Sequence, residues 1–339
     1  MKIQNYIIDL EKAVKKINTE DIKRVLLQVP EGLKSKSIEL VDYIKKHTNC
    51  EVFISADPCF GACDISEERF KELGMELIIH IGHTEILGVL EGLVDTIFIN
   101  ATLDSDLNSN IDKAIKSLKG KKIGLLTTSQ HLHKIDEIKK LLKKNNFDVK
   151  IIKGDDRLSF EGQILGCNFS SAEKLKEKVD SFLFIGSGTF HPLGIILNTK
   201  KPVVAFDPYT NEVRFKELKD IKEKILRQRY AAIARSKDAE IFGIIVGTKK
   251  GQERMDLAIK IKDLLKDNDK KYYFLTLDFF SSHVLEGFIG IDCFVSTACP
   301  RIAIDDYLSY KKPVITPVEL EVLLGTRKWD DYILDEILS

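Results

Sequence analysis

Short, mostly apolar runs bounded by glycine or proline recur along this chain, and they limit the folds open to it. The runs at 24–29, 77–81, 122–127, 181–185 and 241–246 lack the polar–apolar alternation of a half-exposed strand. Strands written this way are buried on both faces, as in parallel sheets covered by helices. Helix-length segments stand between them, ending near Lys46 and spanning 135–144 and 252–266. The order of strand and helix runs through the chain three times. Two closings echo each other in letters, Lys201-Pro202-Val203-Val204 and Lys312-Pro313-Val314-Ile315. We therefore expect an α/β protein of three related βαβ domains, with parallel four-stranded sheets arranged around a shared central site. The divisions fall at 1–118, 119–211 and 212–339, the last opening with a charged connector helix over 212–235. A helical pattern through Ile17 opens the first unit, and a last helix is expected over 330–338.

The balance of charge narrows the partners. Fifty-two basic residues offset fifty-two acidic ones, so no net excess marks a nucleic-acid or anionic-membrane footprint. Pairs such as Lys139-Lys140 and Lys143-Lys144 fall at helical spacing and read as solvated faces. No run approaches the roughly 18–20 apolar residues of a membrane helix, and no long apolar core follows Met1. The expectation is a cytoplasmic protein without nucleic-acid or membrane partners. In that setting six cysteines argue for metal binding, catalysis or burial rather than a disulfide framework.

Three of the six stand apart. Cys63 lies in Asp57-Pro58-Cys59-Phe60-Gly61-Ala62-Cys63-Asp64, a loop after the apolar run at 52–56. Cys167 follows Gln163-Ile164-Leu165-Gly166, and Cys299 follows the third strand of the third unit. Each unit thus offers one cysteine in a loop. Three thiolates can hold three irons of a 4Fe–4S cluster and leave the fourth for a substrate's amino and carboxylate groups. Three small buried hydrophobes satisfy the same spacing. Cys50, at a helix-to-strand junction, and Cys293, inside a strand, read as core. Cys59 competes with Cys63 through a C-x3-C spacing, but no third cysteine completes the C-x3-C-x2-C run of most radical S-adenosylmethionine enzymes.

The segments around these cysteines resemble a known family. Asp57–Asp64, Gln163–Cys167, Gly186-Ser187-Gly188-Thr189-Phe190-His191-Pro192 and Ala298-Cys299-Pro300-Arg301-Ile302-Ala303-Ile304-Asp305 are similar to the signatures of the 2-(3-amino-3-carboxypropyl)histidine synthases. These are the first enzymes of diphthamide biosynthesis, here in their archaeal homodimeric form. The resemblance implies a 4Fe–4S cluster held by Cys63, Cys167 and Cys299, and S-adenosyl-L-methionine as substrate. It implies cleavage at the Cγ–S bond and transfer of the 3-amino-3-carboxypropyl group, as a radical, to a histidine of translation elongation factor 2. An electron donor and a second copy of the chain are the further partners it implies. Cys59 departs from the pattern expected of eukaryotic relatives and is left out of the ligand set.

Around such a centre the protein's task is orientation. Gly186, Ser187, Gly188 and Thr189 form a small-residue loop before a helix, whose amides suit a carboxylate or ribose as well as a plain turn. Arg301 suits a substrate carboxylate, or an ion pair with Asp305 or Asp306. Gln163 and His191 are further candidates for lining the centre; His80 and His83 also stand at strand ends, while His131 and His133 receive no role. Two other readings remain: a quinolinate synthase-like 4Fe–4S enzyme, and a non-enzymatic nucleotide-binding or zinc module.

Overall fold

The computed structural model describes residues 1–3, 5–104, 111–305 and 307–339. Among them, three parallel sheets lie one after another along the chain. The first pairs strands in the order Glu51–Ile54, Arg24–Gln28, Leu77–Ile81, Asp95–Ile99. The second runs Asp148–Lys150, Lys122–Thr127, Ser181–Ile185, Val203–Asp207, all parallel. The third runs Lys271–Leu277, Ile241–Gly247, Cys293–Ser296, Val314–Ile315. Each first strand is central, with the second on one side and the third on the other. The mixed α/β class and the parallel sheets are as expected.

Two central strands share a packing device. Gly124 pairs in register with Phe182, and Gly243 with Phe294. A Cβ on Gly124 would lie 2.5 Å from the Phe182 ring, and one on Gly243 2.7 Å from that of Phe294. The missing side chain leaves room for a buried ring on the neighbouring strand.

Several expectations are corrected. The chain opens with two short strands, Lys2–Ile3 and Tyr6–Ile8, which join Ala101–Leu103 in a small antiparallel sheet before helix Glu11–Glu20 begins. The second sheet has a fifth strand, Glu212–Arg214, antiparallel to Val203–Asp207. The connector helix accordingly starts later and spans Lys216–Arg235. Gln252 sits in a single 3-10 turn, and the following helix is Met255–Lys266. The last ten residues are not helical beyond the turn Trp329–Asp331. They run extended and bury Tyr332 and Leu334 in the core beside the second sheet, which also takes in Leu218, Ile304 and Val318. Ile233 in the connector helix and Ile337 in the C-terminal stretch are likewise buried, while Tyr230 and Leu338 are exposed.

A buried ion pair fastens the connector helix. Arg229 Nε and Nη2 donate to the two Glu319 carboxylate oxygens at 2.7 and 2.6 Å, and both side chains are essentially inaccessible. Glu319 is also the partner of Thr316 in a capping box at the start of helix Pro317–Leu323, and it accepts from the Tyr332 hydroxyl at 3.0 Å. Arg229 Nη1 and Nη2 also donate to the carbonyls of Ala303 and Val314, so each nitrogen of the buried charge has a partner.

Candidate metal centre

The carboxyl ends of the parallel strands converge on one cavity of about 480 Å³, the place where open α/β sheets bind ligands. Loops from all three sheets line it. Cys63, Cys167 and Cys299 are all in that lining, together with Ser187, His191 and Arg301. Gly186, Gly188 and Thr189 are outside it; Thr189 is the residue before helix Phe190–Thr199. Gln163 is also outside. It is wholly buried, accepts from the Ser159 and Phe160 amides at 3.1 Å, and donates to Thr84 Oγ1 at 2.6 Å. Its amide braces the loop ahead of Cys167. Asp306 lies outside the described residues.

Each thiol is held by its own loop. Cys63 is packed against Gly251, where an added Cβ would lie 2.4 Å from the Cys63 Cβ. Gln252 Nε2 donates to Cys63 Sγ at 3.5 Å. Cys167 accepts through its carbonyl from the Ile337 amide at 2.7 Å. The Cys299 loop is held by Arg254, which donates to the carbonyls of Thr297 and Ala298 at 2.6 and 2.9 Å. Burial pushes all three thiols up, Cys299 to about 11, and each of the other two thiols acts on Cys167 by charge. Without a metal these half-buried groups are neutral thiols. A cationic metal centre reverses that logic and takes them as thiolates.

Arg157 has a buried Nε without an acceptor among the described residues, and its charge acts on both Cys63 and Cys167. Such an orphaned donor suits an anionic sulfur centre. The residues present therefore fit a cluster bound by Cys63, Cys167 and Cys299.

The rest of the lining supplies charge and shape. Arg301 Nε and Nη2 both donate to Asp305 Oδ2, at 2.7 and 2.6 Å, and the guanidinium stacks 4.8 Å above the Phe190 ring. The ion-pair role weighed for Arg301 is thus occupied, while its side chain still lines the cavity. His191 lies parallel to Phe184 with ring centroids 5.9 Å apart, and burial lowers its pKa to about 4, so it is a neutral imidazole. Ser187 Oγ donates to Asp207 at 2.9 Å. Lys249 pairs with Asp64 at 2.5 Å beside Cys63. Lys249, Gln252, Arg157, Arg254 and Gly251 were not found from sequence. For Lys249, Gly251 and Gln252 the signal there is a Lys249-Lys250-Gly251-Gln252 loop after a buried strand.

The family model described as putative diphthamide synthesis protein matches residues 29–333. The chain belongs to this diphthamide synthesis family. Among curated family members, 2-(3-amino-3-carboxypropyl)histidine synthase of Pyrococcus horikoshii is 41% identical, over 98% of this chain and 94% of that one. The synthase of the same name from Methanocaldococcus jannaschii is 33% identical, over 97% and 93%. A solved family structure, Dph2 from Pyrococcus horikoshii with a 4Fe-4S cluster, superposes with a TM-score of 0.89 at 39% identity, covering 98% of this chain and 94% of that one. The family resemblance carried by the four motifs is borne out. Both curated relatives are named 2-(3-amino-3-carboxypropyl)histidine synthase, a transferase, which is the enzyme class expected here.

Proposed function

We propose that this chain catalyses the first step of diphthamide biosynthesis: transfer of the 3-amino-3-carboxypropyl group from S-adenosylmethionine to a histidine of translation elongation factor 2. The observation that carries this reading is the convergence of three cysteine loops, one from each parallel sheet, on one cavity. Family membership favours it over a quinolinate synthase-like reaction. The 4Fe-4S cluster of the solved Pyrococcus horikoshii family structure supports it over a zinc module.

Cys63, Cys167 and Cys299 would hold a 4Fe–4S cluster. Such a cluster, when bound and reduced, supplies the electron for breaking a sulfonium C–S bond. This chain's own residues bind and orient. Arg301 offers its charge to the substrate carboxylate beside Asp305, and the neutral His191 and Ser187 add polar contacts on the same wall. Phe60, Ile86, Leu165 and Phe280 supply apolar lining that keeps water from the reacting carbon.

The proposal includes a reductant and a homodimer. The free edge of the third sheet, Lys271–Leu277, exposes Tyr273 and Phe274 and is a surface suited to a second copy. A cytoplasmic location follows from the protein substrate, and among the described residues no helix is long and apolar enough to cross a membrane.

The test is anaerobic reconstitution with iron and sulfide, then dithionite and S-adenosylmethionine, with products separated by chromatography. Methylthioadenosine from the parent, absent from Cys63→Ala, Cys167→Ala and Cys299→Ala, is the expected result. 5′-Deoxyadenosine in its place would overturn the reading.

A further inference from the structure

The loop that brings Cys63 to the cavity sends Cys59 elsewhere. Cys59 is buried to 2% exposure and is not part of the cavity lining. Its sulfur and one ring nitrogen each of His80 and His83 all lie within 4.8 Å of one another. We propose that Cys59, His80 and His83 form a second metal site, separate from the three-thiol centre, which takes one divalent cation of the zinc class. Of the three, only His83 also lines the cavity.

The hydrogen bonds around the two imidazoles prepare them for this. Gln28 Nε2 donates to the Asp64 carbonyl at 2.9 Å, which fixes the orientation of the amide. Gln28 Oε1 is then an acceptor, and it faces His80 Nδ1 at 2.8 Å. The proton of His80 therefore sits on Nδ1, and Nε2 carries a lone pair. That Nε2 is 2.9 Å from His83 Nδ1. Two nitrogens each about 2.0–2.1 Å from one zinc ion stand about 3.3 Å apart, so a few tenths of an ångström separate the present pair from a chelating one. A ligand histidine whose other nitrogen donates to a fixed acceptor is the usual outer support of such sites.

Protonation favours the same outcome. Burial holds His80 and His83 neutral, with His83 lowered to about 4; the proton that His83 Nδ1 now donates to His80 Nε2 moves to His83 Nε2 when the metal takes both nitrogens. Burial and the Asp64 charge push the Cys59 thiol up to about 12. A cation entering beside it displaces that proton and relieves the burial of an otherwise idle thiol. One thiolate and two imidazoles suit a borderline-soft ion, and three protein ligands leave a position for water or substrate. The plainer arrangement is a hydrogen-bonded histidine pair packed on Phe98, whose ring is 5.3 Å from that of His80.

The two are separated by titrating Co²⁺ into the full-length Cys63→Ala/Cys167→Ala/Cys299→Ala chain without oxygen. The proposal expects one equivalent bound, with a thiolate-to-cobalt charge-transfer band and visible bands of tetrahedral intensity. Adding Cys59→Ala or His83→Ala should abolish both, and Gln28→Leu should weaken binding by about 10–100-fold, while thermal melting reports that each chain is folded. No stoichiometric uptake, or uptake without a thiolate band, overturns it. Should the triple variant not fold, the parent and Cys59→Ala chains are compared directly: the variant should take up one Co²⁺ fewer, and equal uptake overturns the proposal.

Discussion

Arg254 and Asp335 form a two-pronged ion pair, with Nη1–Oδ1 at 3.0 Å and Nη2–Oδ2 at 2.6 Å. The same guanidinium donates to the carbonyls of Thr297, Ala298 and Glu336. It therefore fastens the loop before Cys299 to the C-terminal stretch. Two residues on, the Ile337 amide donates to the carbonyl of Cys167. One arginine thus ties together the backbone of two of the three cysteine loops. Removing one partner of a largely buried pair costs on the order of 3–5 kcal/mol, because the other charge stays buried. Arg254→Ala should lose about that much stability in denaturant titration. It should also bind less iron per chain after reconstitution.

Gly251 is where the third unit touches Cys63. Any side chain there meets backbone: a Cβ would lie 2.4 Å from the Cys63 Cβ and 2.5 Å from its Cα. The Gly251 carbonyl also accepts from Arg157 Nη2 at 2.9 Å, so the second unit meets the same point. Gly251→Ala must therefore displace Cys63 or the Gly251 loop. A misplacement of about 1 Å at a reacting centre costs about 100-fold in rate. Methylthioadenosine formation by the reconstituted variant should fall by about that factor. A rate equal to the parent's would show that the close approach does not position Cys63.

Much of the scaffold is legible in the sequence because its strands are buried on both faces. The runs at 122–127 and 181–185 and the helix at 135–144 have the same bounds in the structure, Lys122–Thr127, Ser181–Ile185 and Ile135–Lys144. Glu212–Arg214 is hidden because an edge strand needs ladder hydrogen bonds, not apolar letters. Lys2–Ile3 and Tyr6–Ile8 are too short to show a period. Tyr332, Leu334 and Ile337 suggest a helix face by composition, yet they bury as an extended strap across another unit's core. The cysteine loops are visible because glycine and proline mark them. Arg157, Gly251 and Arg254 are not, since each acts on a cysteine loop distant in sequence. Such contacts exist only once the three sheets have met.

His131 gives the acid limb of stability a named contributor. It is 1% exposed, and neither ring nitrogen has a hydrogen-bond partner among the described residues. Burial lowers its pKa to about 4 from an ordinary 6.5. The unfolded chain therefore binds a proton that the folded chain resists between those values. Stability from this group is complete above pH 6.5 and is lost as pH falls towards 4. His131→Leu should flatten the fall in denaturation midpoint over that window without changing the midpoint's slope above it. An unchanged acid limb would assign it to other groups.

Arg157 tests the electrostatics of the three-thiol centre. Its charge acts on the Cys63 and Cys167 sulfurs from a buried position, where screening is weak. A positive charge beside a cluster favours the added electron of the reduced form. Removing it should make reduction harder. Arg157→Met keeps much of the side-chain volume and leaves Gly251 without the donor at 2.9 Å. The expected outcome is a cluster that still assembles, with a more negative midpoint potential in a spectroscopic redox titration. Methylthioadenosine formation should then fall more steeply with weak reductants than with dithionite. An unshifted potential with normal iron content would mean that the guanidinium acts only on the backbone at Gly251.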